Sequence, residues 1–467
     1  MIREAKFAGK FYPNNKKELD IFFDSCLNTN TNNKSNIKGL LVPHAGYLYS
    51  AKNAALAYSQ LKITNFKTAI IIGTAHTLAL KKCAIVKEGY FSTVYGKVEI
   101  DKKLAEKLAR TDFFEDNTMA HENEHSIEVQ LPFLQYLKKE FKILPIVLNT
   151  ENMDFINESA KFLSENIDDD TIIIISSDLS HYPKAEIARI SDNTILKSYQ
   201  IALSNNDPYF FKLSKDILED KFRYYMDTAA CGFSAMALGG FSLCYRGYSK
   251  FEVSGYTNSS EISMDEENVV GYGSGVFIKG KGEGKINLSE QEKGELLKIA
   301  RKSIENKLAN KNFDYQSENI NFHLPAAIFV TLTIDNKLRG CIGTMSPHSS
   351  LIDAVKEYSL LSAFGDYRFK KLTKDELSKI KIEISILSPL KKIHSIEEIK
   401  ENEHGVYVKQ GNNSGVYLPQ VWEHFESKED FLDSLCFEKA NLPIKAWKEK
   451  STEIFIFSVD KFKEFSN

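Results

Sequence analysis

Cysteine is scarce in this chain, six in 467 residues, and no two are spaced C-x-x-C. A long, Cys-poor chain is expected to keep free thiols rather than a disulfide framework, so Cys26, Cys83, Cys231, Cys244, Cys341 and Cys436 are each buried or reactive. An excess of basic residues is also missing: the net charge is -3, which leaves no footprint for nucleic acid. No apolar run approaches the roughly 18 residues of a membrane span, and MIREAKFAGKFYP lacks the apolar core of a signal peptide. A cytoplasmic protein with no membrane or nucleic-acid partner is expected. Internal repeats and low-complexity tracts are absent too. What remains is an ordinary globular composition, 43% hydrophobic and 26% charged, in a chain long enough for two to four domains of roughly 100–200 residues.

Three short runs stand out: LLVPHAGY with His44, IIGTAHT with His76, and IIIISSDLSHY with Asp178 and His181. In each, an apolar β-type stretch ends and a His follows within a few residues. Parallel strands bring their carboxyl ends to one edge of an open sheet, where such folds bind ligands. The three runs are therefore expected to meet in space.

The surrounding pattern supports that geometry. Strands are predicted at Ile37–Val42, Ala69–Ile72, Ile143–Leu148 and Thr171–Ser176, with helices at Ser50–Leu61 and about Ser126–Phe141. Strands alternating with helices imply an α/β domain, a mainly parallel sheet flanked by helices, over residues 1–278. The Gly/Lys stretch at 279–286 has too little apolar content for a core and reads as a linker. Residues 287–467 differ in kind. A helix is predicted at Glu290–Lys307 with Ser289 as N-cap. AAIFVTLTIDNKLRGCIGT and HGVYVKQGNNSGVYLPQVW read as hairpins around Asp335-Asn336 and Gly411–Asn413, implying an α+β domain with antiparallel hairpins.

Neutral imidazoles gathered at one point hold a metal or move protons. Alone, a strand-end His more often packs or hydrogen-bonds. His44 and His76 in the same context, beside S-S-D-L-S-H, favour a metal site. Asp178 and His181 add acid–base capacity, since a carboxylate can orient an imidazole and fix its tautomer; Asp178 as an N-cap and His181 as a loop residue is the bland alternative. Cys231, in the small-residue run MDTAACGFSAMALGG, suits either a third ligand or a buried small hydrophobe. His121-Glu122-Asn123-Glu124-His125 formally matches the zinc-peptidase motif H-E-x-x-H. Ser126 reads as the N-cap of the next helix, however, which leaves His121 in a loop and the peptidase geometry unformed. Glu124, His125 and Glu128 are expected to line the pocket.

The stretches REAKFAGKFYP, VPHAGYLYSA, GTAHTLALKKCAIV, NEHSIEVQLPFLQ, SSDLSHY and AACG together resemble the Memo family, from Arg3 to about Gly271. Memo proteins are similar in fold to the class III, LigB-type extradiol dioxygenases. The resemblance implies a metal held by His44, His76 and Cys231; a divalent ion is expected, Fe(II) first, with copper or zinc as alternatives because a thiolate favours softer ions. It also implies Asp178 and His181 beside that metal, and His125 joins them as a candidate catalytic residue. A Cys stands where the true dioxygenases carry a carboxylate ligand, and Thr77 where some relatives carry a second His. Past the linker, KLRGCIGT, DYRF, EISILSP with Glu383 and SLCFEKANLP with Cys436 resemble the AMMECR family. The fusion is the arrangement of the AmmeMemoRadiSam system, which implies a radical S-adenosylmethionine (radical SAM) enzyme as partner and an unknown small-molecule or peptide substrate. Arg339, Cys341, Asp366 and Arg368 form a candidate second site. Glycines there expose backbone N–H groups beside an Arg and a thiol, which suits an anion or a nucleophile; a β-bulge with a buried Cys is the structural alternative. Two functions remain: a metal-dependent oxidoreductase, or a non-catalytic metal-binding scaffold serving the radical enzyme.

Overall fold

Four runs rich in Ile, Leu and Val form the centre of the first sheet: β1 (Ile37–Val42), β2 (Thr68–Thr74), β3 (Lys142–Leu148) and β4 (Thr171–Ser176). β2, β4 and nearly all of β3 are buried along their length, as near-continuous apolar strands covered on both faces should be. They lie in the order β3–β2–β4–β1 and are all parallel. The antiparallel strands β5 (Tyr248–Asn258) and β6 (Gly271–Ile278) extend the sheet beyond β1. Among the described residues twelve strands join it. The computed structural model describes residues 2–27, 36–61, 64–393 and 395–464, and in these no helix is long and apolar enough to cross a membrane.

Helices α1 (Tyr47–Tyr58), α2 (His125–Glu128), α3 (Ala185–Asn205) and α4 (Phe233–Tyr245) serve the site described below. α4, FSAMALGGFSLCY, is apolar nearly all round and buried nearly all round, as that composition demands. The helix expected at Ser126–Phe141 is two pieces, α2 and Leu131–Leu137. Pro132 has no N–H to give the carbonyl four residues back, so the helical ladder is interrupted there.

The chain divides into two compact units, Met1–Gly284 and Lys285–Asn467. Within the 279–286 stretch, Gly280–Lys281 pairs with Tyr248–Ser249, and the Gly284 carbonyl accepts from Asn205. The second unit opens on α5 (Glu290–Leu308), whose Ser289 and Glu292 cap each other reciprocally. β7 (Ala327–Ile334) and β8 (Lys337–Gly343) form a hairpin whose turn residues Asp335 and Asn336 have φ of 50° and 61°, the left-handed pair of a type I′ turn. With β9 (Lys381–Leu387) and β13 (Val459–Lys463) they make an antiparallel sheet, covered by α5 and α6 (Leu351–Phe364). A second sheet carries β10 (Gly405–Gln410), β11 (Asn413–Tyr417) and β12 (Glu453–Phe457).

Gly340 explains part of the LRGCIGT run. A Cβ there would sit 2.1 Å from the Ser362 carbonyl oxygen of α6, which is backbone and cannot swing aside. Gly340→Ala is expected to destabilise the second unit by about 1–3 kcal/mol, read as a lower denaturation midpoint with the first unit's transition unmoved.

Candidate metal centre

His44 and His76 each lie two residues beyond a strand, after Val42 and Thr74, and the Ser177–His181 segment follows β4. All leave the carboxyl edge of the parallel sheet. Cys231 precedes α4 and reaches the same point: the Cys231 N–H donates to the Leu179 carbonyl at 3.3 Å, and Gly232 N–H to Ser177 Oγ at 3.0 Å. Donor atoms of His44, His76 and Cys231 lie within 4.8 Å of one another, as do those of Asp178, His181 and Cys231, and of His76, Glu124 and His125. The His76 and His125 rings stack at 4.5 Å, and His44 meets each of them edge-on at 5.2 Å.

Hydrogen bonding fixes which nitrogen each imidazole offers. Ser176 Oγ gives its single proton to the Ser126 carbonyl (2.6 Å) and accepts from Gln130 Nε2 (2.9 Å), so toward His44 Nδ1 (3.2 Å) it can only accept. His44 therefore carries its proton on Nδ1, and its Nε2 lone pair faces Cys231 Sγ at 3.1 Å. His76 is held likewise: Glu124 Oε1 accepts from His76 Nδ1 at 2.9 Å and from Ser126 N–H at 2.8 Å, and Oε2 accepts from the His76 N–H at 2.9 Å. Nε2 is left as the nitrogen His76 can offer. A carboxylate behind an imidazole is the usual support of a metal-ligating His, and losing it typically costs 10–100-fold in affinity. Glu124→Gln is thus expected to weaken metal binding by about that factor, measured by chelator competition, with the fold unchanged.

Burial, then the neighbouring His76, pushes the His44 imidazole down to about 3, and burial with His44 does the same to His125. Both rings are neutral near pH 7, as ligation requires. Burial opposes charge on Glu124, but its bonds from His76 and Ser126 hold the carboxyl down at about 2. Burial, and next the charge of Asp178, drives the Cys231 thiol well above its usual range. Burial also raises Asp178 and lowers His181, each opposed by the other's charge.

Asp178 Oδ1 accepts from the His44 and Ala45 N–H groups at 2.7 and 3.3 Å. The carboxylate thus fixes the His44 backbone, and it acts on His181 through charge. His181 Nε2 is buried without a hydrogen-bond partner among the described residues. Tyr182, beside it, has φ 66° and packs edge-on against the His181 ring at 5.5 Å.

Three sequence expectations need correction. Glu128 does not line the pocket: fully buried, it pairs with Arg3 and accepts from Phe7 N–H (2.9 Å), Lys6 N–H (3.1 Å) and Tyr12 OH (2.8 Å). The cap of α2 is Glu124 rather than Ser126. His121 lies within a one-turn helix, Met119–Glu122, rather than in a loop, and its Nε2 faces the Ala84 carbonyl at 3.0 Å. The chain turns between His121 and His125, so no continuous H-E-x-x-H helix forms. Residues the sequence did not single out are Ser176 and Gln130, which set the His44 tautomer, and Phe7 and Phe11, whose rings lie 5.6 and 4.7 Å from His125. The i to i+4 spacing of two aromatics in KFAGKFY was the available signal.

In the second unit, Cys341 N–H donates to Asp366 Oδ2 at 2.9 Å, while Arg368 grips both Asp366 oxygens and donates to the Cys341 carbonyl at 3.0 Å. Cys341 Sγ lies 3.2 Å from Thr331 Oγ1. Arg339 is the bulged residue, since Leu332 pairs with Gly340 and Thr333 with Leu338, and it forks onto Glu376 at 2.8 and 3.0 Å. All four candidates are engaged with one another or with neighbouring protein groups.

Residues 3–276 match the Memo-like protein family, and residues 297–462 match AMMECR1. A MEMO1 family protein of Aquifex aeolicus is 35% identical over 279 residues, 59% of this chain and 99% of that protein. Another, from Methanobrevibacter smithii, is 33% identical over 293 residues, 59% of this chain and 100% of that one. Among solved structures, an uncharacterized protein of Pyrococcus horikoshii is 30% identical with a TM-score of 0.34, covering 36% of this chain and 90% of its own.

Proposed function

Because the chain belongs to the Memo family and carries an AMMECR1 domain behind it, we propose a metal-dependent oxidoreductase of the extradiol-dioxygenase-like type. The metal would be non-haem Fe(II), held by His44, His76 and Cys231. The observation that carries this reading is the double support of the imidazoles: Ser176 behind His44 and Glu124 behind His76 leave both Nε2 lone pairs to the same small volume as Cys231 Sγ. The donor set fits a divalent ion, with the thiol pulling selectivity toward softer ions such as copper or zinc.

Bound there, the metal supplies a Lewis-acidic, redox-active centre. The protein's own groups do the rest. His181, whose imidazole burial holds in the neutral form against the charge of Asp178, would take a proton from the substrate at Nε2. Phe7 and Phe11 cover His125 and exclude water from that side. The AMMECR1 domain would handle the same small-molecule or peptide substrate, and a radical SAM enzyme would act with the pair. Covalent fusion supports a shared substrate, because it raises the effective concentration of one domain's product at the other.

The test is anaerobic purification of the full chain, metal analysis, and dioxygen uptake across phenolic and peptide substrates. About one iron per chain with substrate-dependent uptake supports the proposal. Stoichiometric metal without uptake favours the second reading, a metal-holding scaffold, which the thiol in the donor set makes specific. No bound metal overturns both.

A further inference from the structure

Behind the metal centre, α1 packs across the β5–β6 pair. The register Gly255↔Ser274 and Thr257↔Tyr272 places these four residues on one face, because directly opposed residues of an antiparallel pair point the same way and alternate along each strand. That face is turned to α1: a Cβ on Gly255 would meet Leu56 at 2.4 Å and Asn53 Nδ2 at 3.4 Å. The alternate residues face the other way, where Tyr256 OH donates to Asp192 of α3 and a Cβ on Gly273 would meet Leu196 of α3 and Leu179 of the loop after β4.

The polar atoms on the α1 face are orphaned. Both amide atoms of Asn53, Ser274 Oγ and Thr257 Oγ1 are buried with no hydrogen-bond partner among the described residues. Asn53 is 1% exposed and Ser274 fully buried. Buried polar groups in native proteins are satisfied by protein or by ordered water, and one isolated exception is tolerable where four such atoms on a single helix–sheet face are not. An amide and two hydroxyls offer both donors and acceptors and no charge, which suits a neutral, amphoteric occupant and not an ion. These atoms have almost no contact with solvent, so the occupant must be very small.

We propose that the compartment between α1 and the β5–β6 pair is a binding site for ordered water, held by the Asn53 amide and the Ser274 and Thr257 hydroxyls. Asn53 lies in α1, the helix that begins three residues after His44, and Tyr272 stands opposite Thr257 on the same face as Ser274. Water there ties the middle of α1 to β5 and β6, and α1 follows directly on the loop that carries His44. This inference does not depend on which metal, if any, the centre binds.

The test uses the full chain with Ser274→Ala, Thr257→Val, Asn53→Leu and the triple variant. If water is bound, Ser274→Ala and Thr257→Val each strand its remaining partners and lower the melting temperature by about 2–4 °C. The triple variant then loses less than the sum of the singles, because it removes the need for water altogether. If the compartment is dry, each single substitution deletes an unpaired polar group and raises the melting temperature, which overturns the proposal. A crystal structure decides independently of stability: a water peak within hydrogen-bond distance of Asn53 and Ser274 supports the site. A direct Asn53–Ser274 bond, or an empty compartment, overturns it.

Discussion

His44→Ala is expected to abolish stoichiometric metal binding in a chain that still unfolds cooperatively. The imidazole supplies one of three donors, and losing a donor outright should weaken binding by more than the ~100-fold that loss of a supporting carboxylate can cost. The fold should survive because the parallel strands beneath do not depend on the ring: β1 pairs with β4 and β6 through its backbone, and Asp178 accepts from the His44 N–H, which alanine keeps. Cys231→Ser should behave likewise. The thiol is held protonated by burial, so ligation must displace that proton and apparent affinity should rise with pH in the wild type. That pH slope should shrink in Cys231→Ser. Metal content of the purified variants, set against their circular dichroism, is the measurement. Full metal in His44→Ala would mean the donors lie elsewhere.

What was legible in the sequence follows from period and position. β1 and β4 could be read to the residue, since β-branched runs bounded by polar turns have one satisfactory burial, and parallel order then brings His44, His76 and His181 to one edge. The hairpin at Asp335-Asn336 was legible because few residues other than Gly, Asn and Asp accept two consecutive left-handed positions. The run 126–141 reads as one helix from its apolar spacing, yet Pro132 splits it in two. Ser176 and Gln130 were invisible for another reason: a Ser ending a strand and a Gln between two short helices carry no pattern. Their task, setting the proton on His44, exists only after the fold brings 130 and 176 within 2.9 Å. Glu128 reads as a pocket-lining residue, because it stands one helical turn from Glu124 and beside His125 in sequence, until its cation, 125 residues away, is seen.

That cation gives the second large effect. Arg3→Ala is expected to cost about 3–5 kcal/mol, the usual penalty for removing one member of a buried ion pair. Arg3 is 3% exposed, Nε donates to the His121 carbonyl at 2.6 Å, Nη2 to the Glu124 carbonyl at 2.7 Å, and Nη1 to Glu128. One guanidinium thus ties the chain's start to both sides of the turn between His121 and His125. Its loss leaves Glu128 with only neutral donors, Lys6 and Phe7 N–H and Tyr12 OH. The double variant Arg3→Met with Glu128→Gln should recover part of the stability, because no unpaired charge then stays buried. The consequence for the centre is separable. Arg3 holds the Glu124 carbonyl while the Glu124 carboxylate orients His76, so Arg3→Ala should also speed metal loss to a chelator under native conditions. The loosening of Phe7 and Phe11 from His125 acts in the same direction. An unfolding free energy within about 1 kcal/mol of wild type would show that the N-terminal segment is held by its aromatic contacts alone. Unchanged metal release would separate the ion pair from the centre.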